Sequence, residues 1–219
     1  MKINEIFRSI NGEWNLFGQG SWATFIRMQG CTLGIGGCSY CDTKQAQDGE
    51  LGSECSSKEI HKAVQQLHCQ NILITGGEPF EQEGDLSLLC RLLKDSGYFI
   101  SVETNGTHCV ENLIPNVDCF IVDWKGPSAI SEDVFNYKNL NCLREKDLIK
   151  HVILNEGDYQ FAKEKAIVYK QFNHVFSPCL SEDIEKNVMQ ASMLYNKMEK
   201  DSLFHVKFNY QIHKLIGCK

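Results

Sequence analysis

Three thiols stand close together in GCTLGIGGCSYCDT, residues 30–43: Cys31, Cys38 and Cys41, in a C-x6-C-x2-C spacing. Thiolates are soft ligands that hold zinc or iron–sulfur clusters, and Cys38-x-x-Cys41 suits a single metal or one corner of a cluster. A structural zinc site needs a fourth ligand, yet no second C-x-x-C and no H-x3-5-H pair follows at a suitable distance. His61 and His68 fall on a predicted helix and read as surface residues. A redox dithiol would leave the third cysteine idle. A [4Fe–4S] cluster held by three thiolates uses all three and leaves one iron open for chemistry. From spacing alone, cluster, zinc clip and redox pair all stay open, and the cluster accounts for the most residues.

Such a centre needs elements to hold it, and the hydrophobic pattern supplies them. Short β-rich runs are predicted at Trp22–Met28, Asn71–Thr75, Tyr98–Glu103, Cys119–Asp123, Lys150–Leu154 and His174–Ser177. Several are nearly continuous apolar runs, the pattern of parallel strands covered on both faces. Helical stretches alternate with them. Ser56-x-x-Glu59 reads as a capping box ahead of Ile60, Val64 and Leu67, and Leu86, Leu89 and Leu93 form a stripe stopped by Gly97. Residues 158–169 and 182–200 are helical by pattern, and 203–212 alternates loosely enough to suggest an edge strand. The series of βα units predicts an α/β fold, a partial TIM-like barrel of about six parallel strands in a single domain over 1–219. An open doubly wound sheet competes with it. In both, ligands sit beyond the carboxyl ends of the strands, where GCTLGIGGCSYCDT, GGEP, TNG and WKGPS all fall.

The formal charge of −6, with no Lys/Arg run to offset it, argues against a nucleic-acid binder that works by neutralising phosphates. No apolar run approaches the length of a membrane span. The opening MKINEIFRSINGEW has no apolar core and no small-residue cleavage site, so no secretory leader is expected. Eight of the eleven cysteines are scattered singly and read as reduced thiols of a cytoplasmic protein.

The cysteine stretch resembles that of radical S-adenosylmethionine (SAM) enzymes, whose usual spacing is C-x3-C-x2-C. Here Thr32–Gly37 holds three extra residues, and Gly34, Gly36 and Gly37 allow the loop to bulge outward. Along nearly the whole chain the likeness narrows to one ring-contracting branch, the 7-carboxy-7-deazaguanine synthases. EIFRSINGEW, FIRMQGC, CSYCDT, TGGEP, VETNGT, DWKGPS and YQIHKLIGCK resemble that branch's motifs in order.

The resemblance implies a radical SAM core with modified helices and assigns roles residue by residue. Cys31, Cys38 and Cys41 would hold the [4Fe–4S] cluster, and Thr43 a Mg²⁺ ion, although a Thr capping the next turn is the ordinary alternative. SAM contacts would fall to Tyr40, Asp42, Gly77, Glu78, Glu103, Asn105, Asp123, Trp124, Lys125 and Ser177. Glu78 would accept from the SAM ammonium and Lys125 would meet its carboxylate. Substrate contacts would fall to Ile10, Asn11, Gly12, Glu13, Arg27, Thr75 and the main-chain carboxylate of Lys219. The branch usually has Gln where Asn11 stands, and often Pro in place of Lys219. Glu13 could pair with the N–H edge of a pterin. Arg27, inside an apolar strand, needs an anion: the substrate carboxylate or a buried internal one.

The implied activity turns 6-carboxy-5,6,7,8-tetrahydropterin into 7-carboxy-7-deazaguanine with loss of ammonia. The implied partners are that small pterin, a flavodoxin- or ferredoxin-type reductant and a second copy in a homodimer, with no nucleic acid and no membrane. Two other readings remain: another radical SAM enzyme, such as a glycyl-radical activase, or a non-enzymatic zinc module.

Overall fold

The structure, a computed structural model, describes residues 1–218. The strands are β1 (Lys2–Ile10), β2 (Trp22–Met28), β3 (Ser53–Glu54), β4 (Asn71–Gly76), β5 (Phe99–Thr104), β6 (Cys119–Asp123), β7 (Leu148–Ile153), β8 (Asn173–Pro178) and β9 (Lys207–Phe208). The helices are α1 (Ser57–Leu67), α2 (Glu83–Asp95), α3 (Asn139–Cys142), α4 (Glu156–Val168), α5 (Ile184–Lys200) and α6 (Ile212–Leu215). One sheet runs β3-β1-β2-β4-β5-β6-β7-β8-β9. β1 pairs antiparallel with β2 and β3, and every pair from β2 to β9 is parallel.

The six predicted strands are all present, two of them with unchanged bounds (β2 and β6). Ser56 caps α1 as its sequence predicts: its side chain accepts from the Glu59 N–H while the Glu59 carboxylate accepts from the Ser56 N–H. Two expectations are corrected. β1 is an additional strand, formed by the segment that also carries the EIFRSINGEW motif. The run 203–212 forms a strand only at Lys207–Phe208, because the chain then leaves the sheet and Gln211 turns back to Glu13.

Side chains alternate across a strand, so residues two apart share a face. On each parallel strand from β2 to β8, one interior residue low in the strand is followed two positions later by a polar one. The pairs are Phe25/Arg27, Leu73/Thr75, Ser101/Glu103, Ile121/Asp123, Leu148/Lys150 and Val175/Ser177. The lower members, Ser101 apart, form an apolar floor with Ala23 and Cys119; the upper members line a polar chamber. The opposite faces carry Ile26, Met28, Ile72, Ile74, Val102, Phe120 and Val122, which pack with α1 and α2 residues in the main core.

The sheet leaves a gap between β1 and β9, and the loop after β1 bridges it. Trp14 Nε1 donates to the Phe208 carbonyl at 3.0 Å, and Gln19 Nε2 donates to the Tyr210 carbonyl at 2.9 Å. Asn15 reaches under the floor to Asn71 and Ser101. This loop carries Glu13 into the barrel interior from below.

Candidate active site

One cavity of about 210 Å³ opens at the carboxyl ends of the parallel strands. Cys31, Cys38 and Cys41 all line it, as do Tyr40, Asp42, Thr43, Gly77, Glu103, Asn105, Asp123, Lys125 and Ser177 on the expected SAM and metal side. Gly12, Glu13, Arg27 and Thr75 line it on the expected substrate side. Residues far apart in the chain therefore meet where the strand-end argument places them.

The three thiols are free and half-buried. Burial pushes the pKa values of Cys31 and Cys38 up, and the Lys125 ammonium opposes it. Among the described residues no three His, Cys, Asp or Glu side chains converge as they would around a single ion. The three thiols line the same cavity, and thiolates are the ligand type that iron–sulfur clusters use. Nearby, the buried Tyr40 hydroxyl and Asp123 Oδ1 have no hydrogen-bond partner within the protein, as expected of groups that await a polar ligand.

Charged groups ring the chamber. Lys125 Nζ donates to Asp123 Oδ2 at 2.6 Å, and Lys150 Nζ donates to Glu13 Oε1 at 2.7 Å with Asp123 Oδ1 at 3.7 Å. Burial disfavours both ammonium groups, but the carboxylates outweigh it and hold both lysines above their ordinary pKa. Burial pushes Glu103 up to about 7, against the pull of Lys150. At the rim, Lys214 and the Thr43 hydroxyl overcome burial and draw Asp42 down to about 2.

Thr43 precedes a short 3-10 turn but makes no capping hydrogen bond. Its hydroxyl donates to Asp42 Oδ1 at 3.0 Å and accepts from Arg27 Nη1 at 3.3 Å. The capping alternative therefore fails, and the oxygen stands at the cavity wall. Arg27 finds an internal anion as well: its Nε pairs with Glu5 Oε1 at 2.9 Å. That bond anchors the guanidinium and leaves its Nη side on the cavity.

Four expectations need correction. Trp124 is fully buried on the outer face of the sheet, stacked on Phe135 with ring centroids 4.0 Å apart. Its even position in the strand parity turns the ring away from Asp123 and Lys125. Glu78 is also enclosed and does not line the cavity. It accepts from Thr104 Oγ1 at 2.7 Å, the Asn105 N–H at 2.6 Å and the Phe80 N–H at 3.1 Å, tying the GGEP turn to the TNG turn. Burial nevertheless pushes it up to about 7. Asn11 is buried outside the cavity, where its side chain shapes the loop by donating to Asn15 and the Gly18 carbonyl and accepting from the Glu13 N–H. Ile10, paired with Trp22 at the lower end of the sheet, is not on the cavity wall. Lys219 lies outside the described residues.

Gly77 is required by its close approach to backbone, and Gly12 packs closely against a side chain of the tail. A Cβ on Gly77 would sit 2.1 Å from the Gly30 carbonyl oxygen and 2.4 Å from that of Ala46, and one on Gly12 would sit 2.3 Å from His213 Nδ1. The first contact presses the GGEP turn against the start of the cysteine loop. The second seats the tail on the Glu13 loop.

Lys150 and Cys179 carry no sequence expectation of a site role, and Gln211, His213 and Lys214 stand only inside a motif without an assigned role; all five are on the cavity wall. Lys150 had a signal: it follows Leu148 by two, the same step that separates Ile121 from Asp123. The tail motif YQIHKLIGCK contained Gln211, His213 and Lys214, but their place at the cavity depends on how the chain returns. Cys179 lies among Lys214, Asp42 and Asp158 as well as Cys38.

The Radical SAM superfamily profile matches residues 25–128. Two relatives named 7-carboxy-7-deazaguanine synthase are similar along nearly the full length. That of Clostridium acetobutylicum is 33% identical, over 98% of this chain and 95% of its own. That of Thermoplasma acidophilum is 34% identical, over 99% of this chain and 97% of its own. Among solved structures, QueE from Escherichia coli superposes with a TM-score of 0.70 at 23% identity, over 96% of this chain and 93% of its own. Streptococcus suis SuiB bound to S-adenosylmethionine gives 0.58 at 11%, over 83% and 48%. Those two structures speak for the fold.

Proposed function

The chain belongs to the 7-carboxy-7-deazaguanine synthase family of the radical SAM superfamily, and on that premise we propose that it contracts the ring of 6-carboxy-5,6,7,8-tetrahydropterin to 7-carboxy-7-deazaguanine with release of ammonia. The observation that carries the proposal is the single chamber shared by the three clustered thiols and the Glu13/Arg27 pair. Cys31, Cys38 and Cys41 would hold a [4Fe–4S] cluster. Bound there, cluster and SAM supply a 5′-deoxyadenosyl radical able to take a hydrogen atom from an unactivated carbon.

The chain's own residues bind and orient. Lys125 is the cation for the SAM carboxylate, and Glu103, Asn105, Asp123 and Ser177 offer polar atoms along the same wall. Glu13 accepts from the pterin N–H edge, and Arg27, fixed by Glu5, faces the pterin carboxylate. Thr43 Oγ1 is the hard oxygen proposed for Mg²⁺, which keeps its remaining positions for water and substrate. Gln211, His213 and Lys214 add polar tail atoms to the chamber wall, Gln211 beside Glu13 and Lys214 beside Asp42. We further propose one radical SAM domain over the whole chain, a homodimer in the cytoplasm and reduction by a flavodoxin- or ferredoxin-type protein. Among the described residues no helix is long and apolar enough to cross a membrane.

The test is anaerobic reconstitution, then turnover with SAM, dithionite and the carboxylated tetrahydropterin, followed by mass analysis and iron and sulfide assay. The expected result is a deazaguanine product with ammonia lost, and about four iron atoms per chain. Cys38→Ala should lose cluster and turnover together, while Cys179→Ser should keep its iron. One zinc without sulfide, or a full cluster in Cys38→Ala, would refute the ligand assignment.

A further inference from the structure

Lys150 is a lysine in an apolar strand, LIKHVI, with 5% of its surface exposed. Burying an ammonium is costly unless it is paired and hydrogen-bonded. Strand parity places it inside the barrel, one step above Leu148 of the floor and one below Val152 on the cavity wall. Its Nζ lies 2.7 Å from Glu13 Oε1 and 3.7 Å from Asp123 Oδ1. Glu13 has come into the barrel on a separate loop and is itself only 3% exposed. Its carboxylate is held on both oxygens: Oε1 also accepts from Gln211 Nε2 at 2.8 Å, and Oε2 from Asn209 Nδ2 at 3.1 Å. The two amides are neutral donors on the returning tail, whereas Lys150 is a charged donor on a rigid strand.

We infer that Lys150 is a positioning residue for the substrate: it neutralises Glu13 within the barrel and fixes the plane of its carboxylate, so that the lone pair left on Oε2 faces a ligand's N–H group. This rests on the reading that the chamber takes the carboxylated pterin through Glu13. Lys150 acts through Glu13, to which it hydrogen-bonds at 2.7 Å, whereas its 3.7 Å approach to Asp123 is too long for a hydrogen bond and Lys125 is the cation bonded there. A ligand that donates an N–H to Glu13 loses most when Lys150 is lost, and SAM loses little.

The experiment is a double-mutant cycle in the reconstituted holoenzyme, with wild type, Glu13→Gln, Lys150→Met and the double variant. Kd and KM for 6-carboxy-5,6,7,8-tetrahydropterin, Kd for SAM, and kcat are measured anaerobically. Lys150→Met is expected to raise the pterin Kd and KM by roughly 30-fold or more, the scale for removing one partner of a buried charge pair. SAM Kd should move less than about twofold, and kcat should fall far less than KM rises. In the Glu13→Gln background, Lys150→Met should add less than about threefold, because the group it serves has already gone. Should Lys150→Met not fold, the comparison of Glu13→Gln with the double variant still decides, since neither buries an unpaired Glu13 carboxylate. An unchanged pterin Kd in Lys150→Met, an equal loss for SAM and pterin, or a full Lys150 effect in the Glu13→Gln background would each overturn the inference. A wild type that binds SAM but not the pterin would overturn the functional reading, and this inference with it.

Discussion

Replacing His174 by Gln should flatten the acid limb of the stability curve by a calculable amount. His174 on β8 is fully buried, with Nε2 3.0 Å from the Tyr169 carbonyl and Nδ1 3.1 Å from Nε2 of His151 on β7. A carbonyl can only accept, so His174 Nε2 carries the proton and donates. Its Nδ1 therefore accepts from His151 Nε2–H, and each ring holds one proton. A second proton on His174 would set two N–H groups against each other in a dry site. Burial lowers His174 to about 4 and drives His151 well below 6.5. The sign follows from linkage: the unfolded chain takes up protons below about 6.5 while the folded chain refuses them until about 4. This contribution is complete above the unfolded pKa and is lost as pH falls toward the folded one. Between pH 7.5 and 5.5 His174 alone accounts for about 1.4 kcal/mol, a tenfold change in the folded-to-unfolded ratio.

Glu78 and Glu103 work in the other direction. Both are pushed up to about 7, so their contribution is complete below about 4.5 and is lost as pH rises through 7. Only the difference between wild type and His174→Gln isolates the histidine. The assay is anaerobic urea unfolding followed by circular dichroism at several pH values, with the m-value checked for constancy. Wild type should lose about 1.4 kcal/mol more than His174→Gln over that interval. Parallel curves would refute the assigned protonation states. The site is linked to this pair because His151 points out of the barrel from the strand whose preceding residue, Lys150, points in.

Three further outcomes are expected. Gly77→Ala should abolish SAM binding in equilibrium dialysis and cost roughly 1–3 kcal/mol in thermal unfolding, because the new Cβ meets two carbonyl oxygens that belong to backbone; wild-type SAM affinity would show that the turn can yield. Trp124→Phe should change SAM Kd by less than about twofold while lowering stability by roughly 1–3 kcal/mol, since the ring packs on Phe135 and not on the cavity. A large loss of SAM affinity with unchanged stability would restore a direct role. Ser56→Ala should cost about 1 kcal/mol in urea unfolding and leave iron content unchanged, because the capping box serves only the start of α1.

Several features were legible from residue order alone. The three-thiol centre, the parallel strands and the gathering of glycine-rich motifs at their carboxyl ends follow from local rules: ligand spacing, apolar runs and the direction of βα units. The α1 cap was legible because a capping box involves neighbours three residues apart. Parity within CFIVDWK could also have separated Asp123 and Lys125 from Trp124, since alternation is a property of the strand itself.

Other features depend on which distant segments meet. Glu78 looks like a ligand in GGEP, and it becomes a brace only because β5 lies beside β4 and brings Thr104 and Asn105 within hydrogen-bond reach. Arg27 acquires Glu5 through the antiparallel pairing of β1 with β2, a register that neither strand specifies alone. Lys150 and Glu13, 137 positions apart, form an ion pair because a loop from below and a strand from the side enter the same interior. Residue order set the chemistry available and the rim of the barrel that carries it. Which charges neutralise one another was decided by tertiary structure, because a buried ion pair depends on distance in space and on exclusion of water, and chain order encodes neither.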